Sequence, residues 1–151
     1  SAIALSRQKV PYINPKNSKE NKSERGAYVV NLTSHESEVT LVASGTEVEL
    51  ALKVQELLTK SNIHSKVVSM PCMELFDKQS EGYRNDILEI NSLIVTLEAG
   101  SIMSWRKYTG HRGINLGIDK FGESAPYKEI YNYLDLSEEK ITSFIQNKLR
   151  K

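Results

Sequence analysis

Two short, almost unbroken apolar runs decide what this chain can fold into. Residues 39–43 read VTLVA and residues 93–97 read LIVTL. A strand with one wet face alternates apolar and polar side chains, whereas a strand covered on both faces reads as a continuous run. Such strands need helices above and below them. The segment after the first run supplies one. Glu49, Lys53, Glu56 and Lys60 fall along one helical face, and Val48, Ala51, Leu52 and Leu58 lie towards the other. Glu49–Lys53 and Glu56–Lys60 have the favourable i, i+4 order. Thr46 and Glu49 have the T-x-x-E spacing of a capping box, in which two side chains satisfy free N–H groups at the helix start.

The same rhythm continues along the chain. Residues 28–32 (YVVNL) predict a strand before the first buried run, joined to it by a short turn around His35 and therefore antiparallel and at the edge. Residues 65–70 (SKVVSM) predict the next strand, ended by Pro71, and 114–118 (INLGI) a shorter one. Helices are expected over 83–89, over 102–108, after Pro126 and after Ser137. Ser137 caps the last of these, with Glu138 and Glu139 near its positive end and Lys148, Arg150 and Lys151 near its negative end. Ile141, Phe144, Ile145 and Leu149 make its apolar stripe. Alternating strands and helices argue for an α/β fold: three α/β/α layers around a mostly parallel five-stranded sheet with one antiparallel edge strand.

Composition narrows the classes. The 151 residues suffice for a single sizeable core. Twenty basic and 19 acidic residues give a formal charge of +1, which offers no electrostatic case for nucleic acid or an anionic membrane. No run approaches the about 20 apolar residues of a membrane span. The one cysteine forms no intrachain disulfide, and a reducing, cytoplasmic setting is the default expectation.

The first residues stand apart. Ala2-Ile3-Ala4-Leu5 has strand-like composition and breaks at Ser6-Arg7-Gln8. A buried-type strand does not fold without partner strands. Residues 1–8 therefore read as the tail of a preceding domain, 9–25 as a linker and 26–151 as a complete second domain. The linker holds Pro11, Pro15 and five basic residues, Lys9, Lys16, Lys19, Lys22 and Arg25, and reads as a solvated segment. Arg7, just beyond a strand end, is well placed to meet an anion.

Individual residues announce little chemistry. The Gly45 turn lacks both G-x-G-x-x-G and G-x-x-x-x-G-K and reads as an ordinary strand-to-helix turn. His35, His64 and His111 lack ligand spacing. Cys72 has no partnered base and reads as a packed thiol. Glu98, beyond a buried strand, is either an acid–base group or a cap for the next turn, the cap being favoured. Trp105, Arg106 and Tyr108 offer either a stacking surface or a helix packed at an interface.

Longer stretches carry more. AIALSRQ, LVASGTEVELAL, VVSMPCMELFDKQSEGYRNDIL, LEAGSIMSWRKYTG and GIDKFGESAP, in this order, closely resemble the C-terminal part of transketolases. The resemblance covers nearly the whole chain and is least around the linker and residues 127–133. It implies that Arg7, at the end of the thiamine-pyrimidine-binding domain, contacts the phosphate of the sugar-phosphate substrate, where a guanidinium forms paired charge-assisted bonds. It implies that the rest of the chain is scaffold and homodimer contact. In the family, thiamine diphosphate and a divalent cation (magnesium or calcium) are held by earlier domains. The resemblance therefore places no catalytic, cofactor or metal residue here, and the chain alone is expected to be inactive. The full enzyme moves a two-carbon glycolaldehyde unit from a ketose phosphate to an aldose phosphate. Two alternatives stay open: a related thiamine-diphosphate enzyme such as dihydroxyacetone synthase, or a stand-alone α/β module binding a small ligand or partner.

Overall fold

The computed structural model describes residues 9–13, 21–34 and 36–150. Residues 2–5, Arg7 and His35 lie outside the described residues.

Five strands form one sheet: β1 (Tyr28–Leu32), β2 (Val39–Ala43), β3 (Ser65–Ser69), β4 (Leu93–Leu97) and β5 (Ile114–Leu116). Their spatial order is β1-β3-β2-β4-β5. β2 runs parallel to β3 on one side and to β4 on the other, and β4 runs parallel to β5. β1 is the antiparallel edge, as expected, but it pairs with β3 rather than with its sequence neighbour β2. Its register shifts between Val29 and Asn31, a bulge that breaks the edge ladder.

The run 39–43 is buried along its whole length, and 93–97 from Ile94 onwards, because their side chains alternate between two cores. Val39, Leu41 and Ala43 of β2, Val67 of β3, and Val95 and Leu97 of β4 face one core. Helix α1 (Glu47–Lys60) and helix α6 (Glu138–Leu149) close it with Val54, Leu58, Ile141 and Ile145. Val42, Val68 and Ile94 face the other, with Phe76 of α2 (Met73–Asp77), Ile87 of α3 (Glu81–Leu88), and Trp105 and Tyr108. Tyr108 lies on α4 (Arg106–Thr109). This is the three-layer arrangement that the sequence predicts. Helix α5 (Tyr127–Tyr133) has no buried residue.

Local departures have physical reasons. The expected capping box does not form: Thr46 is helical (φ −67°, ψ −27°), and its hydroxyl donates to Glu47 Oε1 at 2.6 Å instead of accepting from the helix. The Glu49–Lys53 pair does form, at 2.8 Å. Ser137 caps α6, accepting from Lys140 N at 3.5 Å. In α6, Ile141 and Ile145 are buried, whereas Phe144 and Leu149 sit on the flank with 52% and 37% exposure. The expected helix over 102–108 splits into a 3-10 turn, Met103–Trp105, and α4.

Most described linker residues are exposed, and two of them touch the domain. Ile13 packs against the α1/α6 core, and the Arg25 guanidinium lies 5.1 Å over the Tyr83 ring. Lys22–Arg25 form a 3-10 turn ending at Gly26 with φ +80°. Only glycine fits there, since a Cβ would come within 2.3 Å of Phe76 N and 2.4 Å of Cys72 O.

Candidate functional site

In open α/β sheets ligands collect beyond the carboxyl ends of the strands, where successive connections turn to opposite sides. Here that point lies between β2 and β4, because β2 leads outwards to β3 on one side and abuts β4 on the other. The residues that follow these two strands are Ser44-Gly45-Thr46-Glu47 and Glu98.

They meet as one polar cluster. Glu98 Oε2 accepts from the Trp105 indole N–H at 3.0 Å. Glu47, 5% exposed, accepts the Thr46 hydroxyl and, at 2.5 Å, the Tyr131 phenol of α5. Burial pushes the Glu98 carboxyl above the usual carboxylate range, and the negative charge of Glu47 adds to this, while the indole N–H and Ser44 work against it. Burial and the Glu47 carboxylate also push the Tyr131 phenol up, so it stays protonated and keeps donating.

The chemistry available is modest. The first N–H groups of α1 are turned inwards: Glu47 N, Val48 N and Glu49 N donate to Ser44 O, Gly45 O and Thr46 O at 3.2, 3.4 and 3.2 Å. A phosphate would need those donors. A Cβ on Gly45 would meet nothing, so this glycine serves its φ of +54° rather than the approach of a ligand. A cavity of about 240 Å³ lies beside the cluster, lined by Thr46, Tyr131, Ser137 and residues of both charges including Lys53 and Glu49. Among the described residues no three His, Cys, Asp or Glu side chains converge as a metal ion would require. These residues do not fit a cofactor diphosphate held through a divalent cation, and no step through either group is assigned to them.

Other expected candidates resolve into structure. Trp105 and Tyr108, 2% and 8% exposed, are core residues rather than a stacking surface or an interface helix. Their rings meet edge-on at 6.3 Å, and the Tyr108 hydroxyl donates to Asp77 Oδ1 at 2.9 Å. Cys72 is half-buried at the start of α2, its thiol 3.5 Å from Glu74 Oε2. His111 is exposed. Among the described residues no helix is long and apolar enough to cross a membrane. Sequence reasoning missed the Glu47–Tyr131 bond, which spans 84 positions and has no local signal.

Glu98 and Trp105 yield a direct test. Trp105 is the chain's one tryptophan, so its fluorescence reports the charge on the carboxylate its indole touches. A raised folded-state pKa means a stability contribution that is complete below the unfolded value and is lost as pH rises through the folded value. Glu98→Gln should therefore be at least as stable as the natural chain near neutrality, with the difference vanishing in acid. The fluorescence transition should fall above the ordinary carboxylate range and disappear in Glu98→Gln. A transition that persists in that variant would reject the assignment.

Comparison with known proteins gives the fold its family. The family profile described as the transketolase-like TK C-terminal domain matches residues 26–137. This chain belongs to the transketolase family. The transketolase of Bacillus subtilis (strain 168) is 40% identical over 154 residues, covering 100% of this chain but 23% of its own length. The Campylobacter jejuni transketolase structure superposes with a TM-score of 0.74 at 35% identity, over 82% of this chain and 19% of that one. A Pichia stipitis transketolase described as a complex with sedoheptulose-7-phosphate superposes with a TM-score of 0.78 at 29% identity, over 85% of this chain and 18% of that one. The chain thus spans about a fifth of the transketolases it resembles.

Proposed function

We propose that this chain is the C-terminal part of a thiamine-diphosphate-dependent transketolase, which transfers a two-carbon glycolaldehyde unit from a ketose phosphate to an aldose phosphate. The observation that carries this reading is the match to the Bacillus subtilis transketolase, which runs through the whole of this chain and under a quarter of that protein. Residues 1–8 close the preceding domain, 9–25 link, and 26–151 form the C-terminal domain. That domain acts as scaffold and homodimer contact in a cytoplasmic enzyme. In such an enzyme the cofactor supplies a stabilised carbanion, and a divalent cation neutralises its diphosphate. Arg7 holds the phosphate of the sugar. The sedoheptulose-7-phosphate complex of the Pichia relative supports a sugar phosphate as substrate class.

One set of measurements tests this. The 151-residue chain should turn over no sugar phosphate, and thiamine diphosphate with magnesium should leave its melting temperature unchanged, since a ligand of the folded state must raise it. The longer polypeptide that carries this segment should show both activity and a thermal shift. In that polypeptide Arg7→Ala should raise KM for phosphorylated sugars far more than for unphosphorylated ones. A dose-dependent shift in the 151-residue chain, or equal KM effects on both sugar classes, would count against the reading.

A further inference from the structure

Helix α5 is held unlike the other α-helices. α1, α2, α3, α4 and α6 each bury at least one side chain, and α5 buries none. Its seven residues are also too few to make a stable helix in water without packing. Residues 119–129, which lead into it, are exposed without a break. The chain is fixed on either side of this stretch. Ile118 N donates to Gly100 O at 2.8 Å, and Ile102 N donates to Asp119 Oδ1 at 3.3 Å. At the other end Leu136 and Ser137 are buried. Between these two anchors Ile130, Tyr131 and Leu134 are half-buried, and every other residue is exposed.

One side chain does most of the fastening. Tyr131 packs against the α1/α6 core and donates its phenol to the Glu47 carboxylate of α1 at 2.5 Å. A hydrogen bond to a charged acceptor is stronger than one between neutral groups. Tyr127 meets Tyr131 edge-on at 5.9 Å and so rides on it. A second tie is Lys140 of α6, which donates to Asn132 O at 2.9 Å and pairs with Asp135 at 2.5 Å. Both of these contacts are exposed, and exposed ion pairs contribute little. Asp135 turns the chain between α5 and Leu136 at φ +60°, a left-handed conformation that a residue other than glycine keeps only while its surroundings enforce it.

Beneath Tyr131 lies the carboxyl end of the sheet. Glu47, just beyond β2, is 5% exposed, and the cavity of about 240 Å³ beside it is walled by Thr46 and by Tyr127 and Tyr131 of α5. When α5 withdraws, water reaches both the carboxylate and the phenol and offsets much of the lost bond, so opening costs less than unfolding the sheet. We propose that residues 120–135 form a strap that lifts as a unit while the sheet stays folded, with the Tyr131–Glu47 bond as its latch. Lifting it opens the crevice beyond β2 and β4, where ligands of open α/β sheets collect.

Amide hydrogen exchange of the 151-residue chain tests this. Peptides from 127–134 should exchange at least about 100-fold faster than those from β2 and β4. Tyr131→Phe keeps the ring and removes the phenol, and should speed exchange of 127–134 about 10-fold further. Phe76→Leu, in the core on the far side of the sheet, should speed exchange of β2 and β4 but leave 127–134 unchanged, because lifting the strap does not disturb Phe76. Exchange of 127–134 that matches the sheet in the natural chain, or rises with it in Phe76→Leu, would show that α5 leaves only when the domain unfolds and would overturn the strap. An unchanged rate for 127–134 in Tyr131→Phe would overturn the latch.

Discussion

Lys66→Met should lower the unfolding free energy by about 3 kcal/mol, the lower part of the range for breaking a buried ion pair. Lys66 lies on β3, between the edge strand β1 and the central strand β2, and its side chain is 7% exposed. Its ammonium is 2.8 Å from Glu89 Oε2 and donates to Asp86 O at 2.9 Å. Glu89, 22% exposed and just past α3, turns its other oxygen to Ser37 N at 2.7 Å. One ion pair thus fastens β3, the end of α3 and the loop entering β2. Burial pushes the Glu89 carboxyl up, but Lys66 and the Ser37 N–H more than offset this and hold it below its usual range. A depressed folded value contributes stability above the unfolded value and loses it as pH falls through the folded one. Without Lys66 only the Ser37 bond opposes burial, and the neutral acid becomes the less costly form. The gap between natural chain and variant should therefore be widest near neutrality and narrow in acid. Lys66→Met combined with Glu89→Gln should recover most of the loss, because the amide oxygen still accepts from Ser37 without a charge. Urea midpoints for the natural chain and both variants, near neutrality and in acid, check this. A single variant that is as stable as the natural chain would show that the pair is not load-carrying.

Local pattern carried the sheet a long way. The runs at 39–43 and 93–97 coincide with β2 and β4 because burial on both faces leaves an unmistakable apolar signature, and the run at 28–32 coincides with β1, an edge strand that is only partly buried. Lys66 sits inside a strand whose other residues are equally buried, and its lysine gives no sign of that, because the compensating carboxylate is 23 positions away. Strand order was illegible for the same reason. β1 turns away from β2 to pair with β3, a choice set by packing rather than by the short connection. Helix α2 escaped notice because five residues, Met73–Asp77, give too short a window for a helical period. The candidate cluster was half legible. Glu98 follows a recognisable buried strand, but its partner Trp105 and the Glu47–Tyr131 bond exist only once the strand ends and α5 are brought together.

Phe76→Ala should cost about 3–5 kcal/mol, the usual loss for truncating a fully buried aromatic side chain. Phe76 is 0% exposed although its helix has only five residues. So short a helix has no stability of its own and is held by what its one buried side chain touches. The ring lies 6.4 Å from Tyr83 on α3 and 5.8 Å from Tyr108 on α4, at interplanar angles of 61° and 59°. Tilted and edge-on aromatic contacts of this kind add to the area they bury. Neighbouring groups have little room to collapse into the gap. Tyr83 is fixed by its hydroxyl bond to Ala27 O at 2.7 Å, and Tyr108 by its bond to Asp77 at 2.9 Å. The latter bond begins on α2 itself, so loosening α2 should also release the carboxylate that Lys107 and Tyr108 share. Trp105, edge-on to Tyr108, should report that release as a change in fluorescence before global unfolding. Phe76→Leu, which refills part of the volume, should lose markedly less and leave the fluorescence near that of the natural chain. Chemical unfolding of the two variants decides the matter. A loss below about 1 kcal/mol for Phe76→Ala would mean that α2 is not anchored through this ring.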